Sequence, residues 1–97
     1  MATYVSLIKF TEKGAKSIKD TCKRAADFQA GAKKLGLEIK EQYWCLGAFD
    51  GLILFDAADD ETATAGMLSL SALGNVTTQT LRSFTATAMG KILGKGS

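Results

Sequence analysis

The sequence predicts an α+β domain built in the order β-α-β-β-α-β around one antiparallel four-stranded sheet. Three observations predict it. The runs Thr3–Phe10 and Phe49–Ala57 are apolar on both faces of a period-two pattern, which is the mark of interior strands. Two intervening stretches, Ala15–Leu35 and Asp59–Gly74, repeat apolar residues at spacings of three and four, as amphipathic helices do. Between them Tyr43-Trp44-Cys45-Leu46 and Leu52-Ile53-Leu54-Phe55 flank a corner containing Gly47, Asp50 and Gly51, the pattern of a hairpin in mid-sheet.

Length and charge set the outer bounds. At 97 residues the chain is one domain, and a chain of this size buries roughly two-thirds of its unfolded surface. Twelve Lys and Arg against ten Asp and Glu leave a net charge of +2, interspersed along the chain. That disfavours a phosphate-binding surface, so nucleic acid is not the expected partner. There is no His, which removes His ligation of haem or zinc and His general-base catalysis, and no cofactor or metal is expected. Cys22 and Cys45 form neither a disulfide framework nor a CxxC site and are expected as buried, reduced thiols. Without a basic leader or an apolar run of membrane length, the expected setting is the cytoplasm.

In chain order, Tyr4, Ile8 and Phe10 share one face of the first strand, and Val5 and Leu7 the other. The helix from Ala15 to Leu35 carries a stripe of Ile18, Cys22, Ala25, Phe28, Ala32 and Leu35, and Gly36 stands where a left-handed C-cap belongs. The second strand, Leu37 to Leu46, is charged in its first half and suits an edge. Asp59-Asp60-Glu61 opens the second helix, where carboxylates cap free amides and meet the positive end of the dipole. That helix bears Ala63, Met67, Leu70 and Leu73 and ends at Gly74. The fourth strand, Val76 to about Phe84, is Thr-rich and half-exposed in character. The domain proper is assigned to residues 1–88, with 89–97 as an irregular or helical tail that frays at its end.

Interior strands one and three between more polar strands two and four match a ferredoxin-like sheet of order 4-1-3-2. Both helices then cover one face, and the other face is apolar and open. The expected partner is a second copy of the chain, in a homodimer or higher homo-oligomer with sheets face to face.

Several segments together resemble the GYD-domain family, small bacterial and archaeal proteins of the dimeric α+β barrel superfamily. They are Thr3-Tyr4, Phe10-Thr11-Glu12-Lys13-Gly14, Leu46-Gly47-Ala48-Phe49-Asp50, Ala72-Leu73-Gly74-Asn75-Val76 and Thr80-Leu81-Arg82-Ser83-Phe84-Thr85. Phe49 stands where the family is named for a Tyr, so no phenolic hydroxyl is available there. The resemblance implies the dimeric barrel. The superfamily includes cofactor-independent monooxygenases, muconolactone isomerases, chlorite dismutases and effector-binding domains, and the fold does not choose among them.

Asp50 is the candidate catalytic residue, and it has two readings. With Gly51 it is turn chemistry; the resemblance instead implies a place at the start of strand three, on the face of Leu52 and Leu54, where a partly buried carboxylate is a candidate general base. Tyr43, Trp44, Phe49 and Arg82 are candidate ligand contacts. Packing competes for the aromatics, and a structural ion pair competes for Arg82. The leading functional reading is a homodimer that holds a small molecule between sheet and helices or at the subunit boundary. The alternatives are a monooxygenase or isomerase using Asp50, Tyr43 and Arg82, and an assembly or adaptor module.

Overall fold

Four antiparallel strands and four helices make up the chain in a computed structural model that describes residues 1–95. In order they are β1 (Ala2–Phe10), α1 (Glu12–Lys16), α2 (Thr21–Ala32), β2 (Glu38–Trp44), β3 (Gly51–Ala57), α3 (Asp60–Ser71), β4 (Val76–Ser83) and α4 (Ala86–Lys95). The sheet runs β2-β3-β1-β4, the ferredoxin-like order expected, read from the opposite edge.

Burial alternates along the central strands as their patterning requires. Tyr4, Ser6 and Ile8 of β1 and Ile53, Phe55 and Ala57 of β3 are buried against α2 and α3, where Ala32, Ala63 and Met67 meet them. Register places Tyr4 opposite Phe55, and their rings stack with centroids 5.3 Å apart. Burying a ring such as Phe55 contributes about 1.5–3 kcal/mol. Ser6, a fully buried polar residue in this layer, shares a 3.0 Å hydrogen bond with Thr80 across the β1–β4 pair. That partner offsets the cost of its burial.

The acidic run supplies the cap of α3, as expected, and Thr11 supplies that of α1. Thr11 accepts the Gly14 amide at the start of α1, and Asp59 accepts the Thr62 amide at the start of α3. The Asp59 carboxyl is held below its ordinary range by these Thr62 hydrogen bonds. Gly36 and Gly74 both adopt positive φ, 82° and 83°. In α3 the missing side chain of Gly66 admits Leu37, because a Cβ there would lie 2.5 Å from the Leu37 Cδ1.

Other expectations are corrected. The single helix from Ala15 to Leu35 is broken at Ser17, whose backbone leaves the helical region (φ −108°, ψ 38°). Arg24 reaches back to donate to the Ser17 carbonyl at 2.8 Å and the Gly14 carbonyl at 3.3 Å, occupying acceptors that a continuous helix would use. The break moves the start of the stripe off the core: Ile18 is 43% exposed and Cys22 is exposed. Leu35, in a 3₁₀ turn, and Leu73, past the end of α3, are exposed as well. Cys45 lies exposed in the β2–β3 loop, so neither thiol is buried. In β2 a register irregularity between Ile39 and Glu41 changes the alternation: Ile39 pairs with Phe55 on the helix side, while Glu41 and Tyr43 pair with Leu54 and Leu52 on the open side.

The tail is largely helical. Thr85 starts α4 by accepting the Ala88 amide at 3.1 Å through its hydroxyl and the Met89 amide through its carbonyl. The expected fraying of the last residues, Gly96 and Ser97, lies outside the described residues.

Candidate functional site

Two features on opposite sides of the sheet are candidates. The first is a cavity of about 70 Å³ between the sheet and the helices, lined among others by Phe10, Phe28, Trp44, Leu73 and Val76. Polar groups of Gln42, Asp50 and Asn75 lie in the same lining. Trp44 points from β2 toward the helices and donates its indole N–H to the Thr21 hydroxyl at 3.0 Å. The neighbouring Tyr43 lies on the open side opposite Leu52, 53% exposed, and its hydroxyl donates to Glu41 at 3.1 Å. That bond to a carboxylate raises the Tyr43 pKa. The two aromatics therefore face different environments, as their adjacent positions in one strand dictate.

Asp50 closes the corner between β2 and β3. Its carbonyl accepts the Cys45 amide at 2.8 Å, and its own amide donates to the Ile8 carbonyl at 2.8 Å. With the carbonyl used in the hairpin, the carboxylate takes its place in the β1–β3 ladder and accepts the Phe10 amide at 2.8 Å. Gly51 follows because a Cβ there would lie 2.7 Å from the Tyr43 carbonyl oxygen. The half-buried Phe49 precedes Asp50 in the loop.

Arg82 is placed elsewhere. It pairs with Tyr4 in the β1–β4 register, four residues along β1 from Ile8, about 13 Å at strand spacing. Its guanidinium lies 4.4 Å from the Phe84 ring centroid and 5.5 Å from that of Tyr4, and donates to the carbonyls of Thr3 and Ser83. Asp50 and Tyr43 both contribute to the lining of the cavity, and Arg82 does not. At Arg82's end of the sheet the Tyr4 hydroxyl donates to Asp60 at 2.6 Å. This hydrogen bond, then burial and the negative charge of Asp60, push the Tyr4 pKa up to about 12. The sequence carries no local signal for this pair, 56 residues apart.

The segments that carried the resemblance meet in space. The Thr11 amide donates to the Asn75 carbonyl and its hydroxyl to the Gly74 carbonyl, while Lys13 donates to the Leu73 carbonyl. Gly14 presses so closely on this turn that a Cβ would fall 2.0 Å from the Asn75 oxygen. Asp50 ties the third segment to Phe10. Their residue types are thus explained by joining strand ends to helix starts. A family model described as the GYD domain matches residues 4–93. The chain belongs to the GYD-domain family.

A relative in Thermus thermophilus is named glutamine synthetase and cystathionine beta-lyase binding protein. It is 30% identical to this GYD chain over 82 residues, covering 84% of this chain and 86% of the relative. The fold is similar to part of a crystal structure of a homoserine dehydrogenase from Thiobacillus denitrificans, with a TM-score of 0.53 and 16% identity. That match covers 84% of the GYD chain but only 17% of the dehydrogenase, and it speaks to fold alone.

The second candidate is the open face of the GYD sheet. Val5 and Leu7 of β1 and Leu52 and Leu54 of β3 are half-buried there, and Tyr43 and Leu81 flank them at 53% and 44% exposure. Around this apolar centre lie Lys9, Glu38 and Glu41. Lys40 pairs with Glu38 at 3.0 Å and with Asp56 at 3.6 Å, and these carboxylates raise its pKa. Among the described residues, no three His, Cys, Asp or Glu side chains form a cluster able to hold a metal ion, and no helix is long and apolar enough to cross a membrane.

Proposed function

We propose that this protein is a non-catalytic, homodimeric protein-binding module whose partners are metabolic enzymes. The observation that carries the homodimer is the open sheet face, an apolar surface on strands that are otherwise well packed. Such a surface in a small domain marks an interaction site, and its symmetric use by two copies makes an isologous dimer. The engagement of the Asp50 carboxylate by a backbone amide and the separate placement of Arg82 support a binding role over the monooxygenase or isomerase alternative. The name of the Thermus relative supplies the partner class: glutamine synthetase is the first enzyme to test. A reducing cytosol suits the two exposed thiols.

The test is biolayer interferometry between the purified chain and glutamine synthetase from the same organism. Saturable, stoichiometric binding is expected. Absence of binding to this enzyme and to cystathionine beta-lyase would remove the proposed partners.

The cavity favours a second reading, the small-molecule site. Trp44 is the only tryptophan and lines the cavity, so a ligand entering it should change the protein's fluorescence. A screen of small aromatic and apolar compounds with neither a fluorescence change nor a thermal shift would leave the cavity a packing defect.

A further inference from the structure

We infer that α4 is an arm that clasps a second copy of the chain, packing along the outer edge of the partner's β2. The inference rests on the dimer proposed above and specifies what completes it. Helical periodicity places Ala88, Met89, Ile92 and Leu93 on one side of α4, with Thr87 and Lys91 on the other. Among the described residues, none in α4 is buried: Met89 is 45%, Ile92 40% and Leu93 66% exposed. An isolated helix of ten residues is below the length that is stable in water, so its apolar side needs a surface.

That surface is not on its own domain. The molecule measures 52 × 31 × 17 Å. At about 10 Å between packed layers, the short dimension holds the sheet and one helical layer, but not a third layer across the open face. The radius of gyration, 14.5 Å, exceeds the value of about 12.5 Å for a compact chain of this length. Phe84, held under the Arg82 guanidinium, and the Thr85 cap set the direction in which α4 leaves β4.

Area and symmetry point to a second copy. The open sheet face is about 400 Å² in projection, whereas a stable interface buries about 800 Å² on each partner. Two α4 arms supply apolar area that the sheets alone lack. When two sheets of order β2-β3-β1-β4 stack about a two-fold axis parallel to the strands, each β4 lies over the partner's β2. The arm leaving β4 then emerges beside that edge. The charges agree in sign: the ionised side chains of α4 are Lys91 and Lys95, and β2, with Glu38 and Glu41 against Lys40, is net negative.

The experiment uses the full chain throughout. Sedimentation velocity over a dilution series gives the dimer dissociation constant for the wild type, for Ile92→Glu with Leu93→Glu, and for Leu54→Lys on the sheet face. The α4 double variant is expected to weaken the dimer by about 30-fold or more, from loss of two apolar anchors. Its circular dichroism melt, taken at a concentration where both proteins are monomeric, should match the wild type, because neither residue is buried in the core. In parallel, Ile92→benzoylphenylalanine is photolysed in a mixture of ¹⁴N and ¹⁵N chains. Mixed-isotope cross-links to residues 38–44 are expected. Cross-links confined to one chain, or an α4 double variant that dimerises like wild type while Leu54→Lys is monomeric, would overturn the arm and leave the dimer standing. A monomeric wild type would overturn both.

Discussion

The two faces of this sheet are made by alternate residues of the same strands, yet they have different fates. On the covered face Tyr4, Ile8, Ile53 and Phe55 are sealed by α2 and α3. On the open face Val5, Leu7, Leu52 and Leu54, no less apolar, remain half-buried. A strand apolar on both sides asks for two coverings, and the described residues supply one. On the function proposed above, the second covering comes from outside the domain, and the difference separates residues that hold the fold from residues that would hold a partner.

The sharpest way to break the comparison is to substitute neighbours in β3. Phe55→Ala is expected to destabilise the chain by about 3–5 kcal/mol, as large aromatic truncations in packed cores do. Leu54→Ala, assayed by urea unfolding below the dimerisation range, should cost about 1 kcal/mol or less because its side is open. Equal losses at the two positions would mean that the faces do not differ. Next in size is Gly14→Ala, where the new Cβ meets the Asn75 carbonyl. A loss of about 1–3 kcal/mol is expected from overpacking against backbone, again by urea unfolding.

Asp50 sharpens the distinction between structure and catalysis. Asp50→Ala removes the acceptor of the Phe10 amide, and leaving that amide without a partner should cost about 1–2 kcal/mol. Asp50→Asn keeps an oxygen acceptor and should lose less than half of that. Wild-type stability in Asp50→Ala would remove the structural role and reopen the reading of Asp50 as a base.

The smallest effect is a pH dependence on the covered face. Tyr4 is held neutral in the fold, with its pKa raised to about 12 from 10.0. The folded state therefore keeps a proton that the unfolded chain releases above pH 10. This contribution is fully present below pH 10 and is lost as pH rises toward 12. Tyr4→Phe should flatten the fall in stability over that window, measured by urea unfolding at pH 9 and at pH 11. An unchanged slope would mean that the Tyr4–Asp60 bond does not stabilise the fold.

Much of this architecture was legible because local signals agreed with one another. The two-faced apolar pattern of β1 and β3, the capping run at Asp59-Asp60-Glu61 and the glycines at 36 and 74 all pointed to the same sheet and helices. What escaped was decided at a distance. Arg24 breaks the first helix by reaching carbonyls seven and ten residues earlier, and no periodicity records that competition. The irregularity at Lys40 moves Ile39 to the helix side, a change invisible to simple alternation. Ala88, Met89, Ile92 and Leu93 do have helical spacing, but the run is too short to stand out beside Gly90 and Gly94. Around the candidate site, the opposite orientations of Tyr43 and Trp44 follow from their adjacency. The commitment of Asp50 to Phe10 required the β1–β3 register.

Whether a second copy covers the open face is tested most directly by sedimentation equilibrium of the full chain at micromolar concentrations. Twice the mass of one chain is expected for the wild type and a single-chain mass for a folded Leu54→Lys variant. A single-chain mass for the wild type across the whole range would mean that no second copy covers that face.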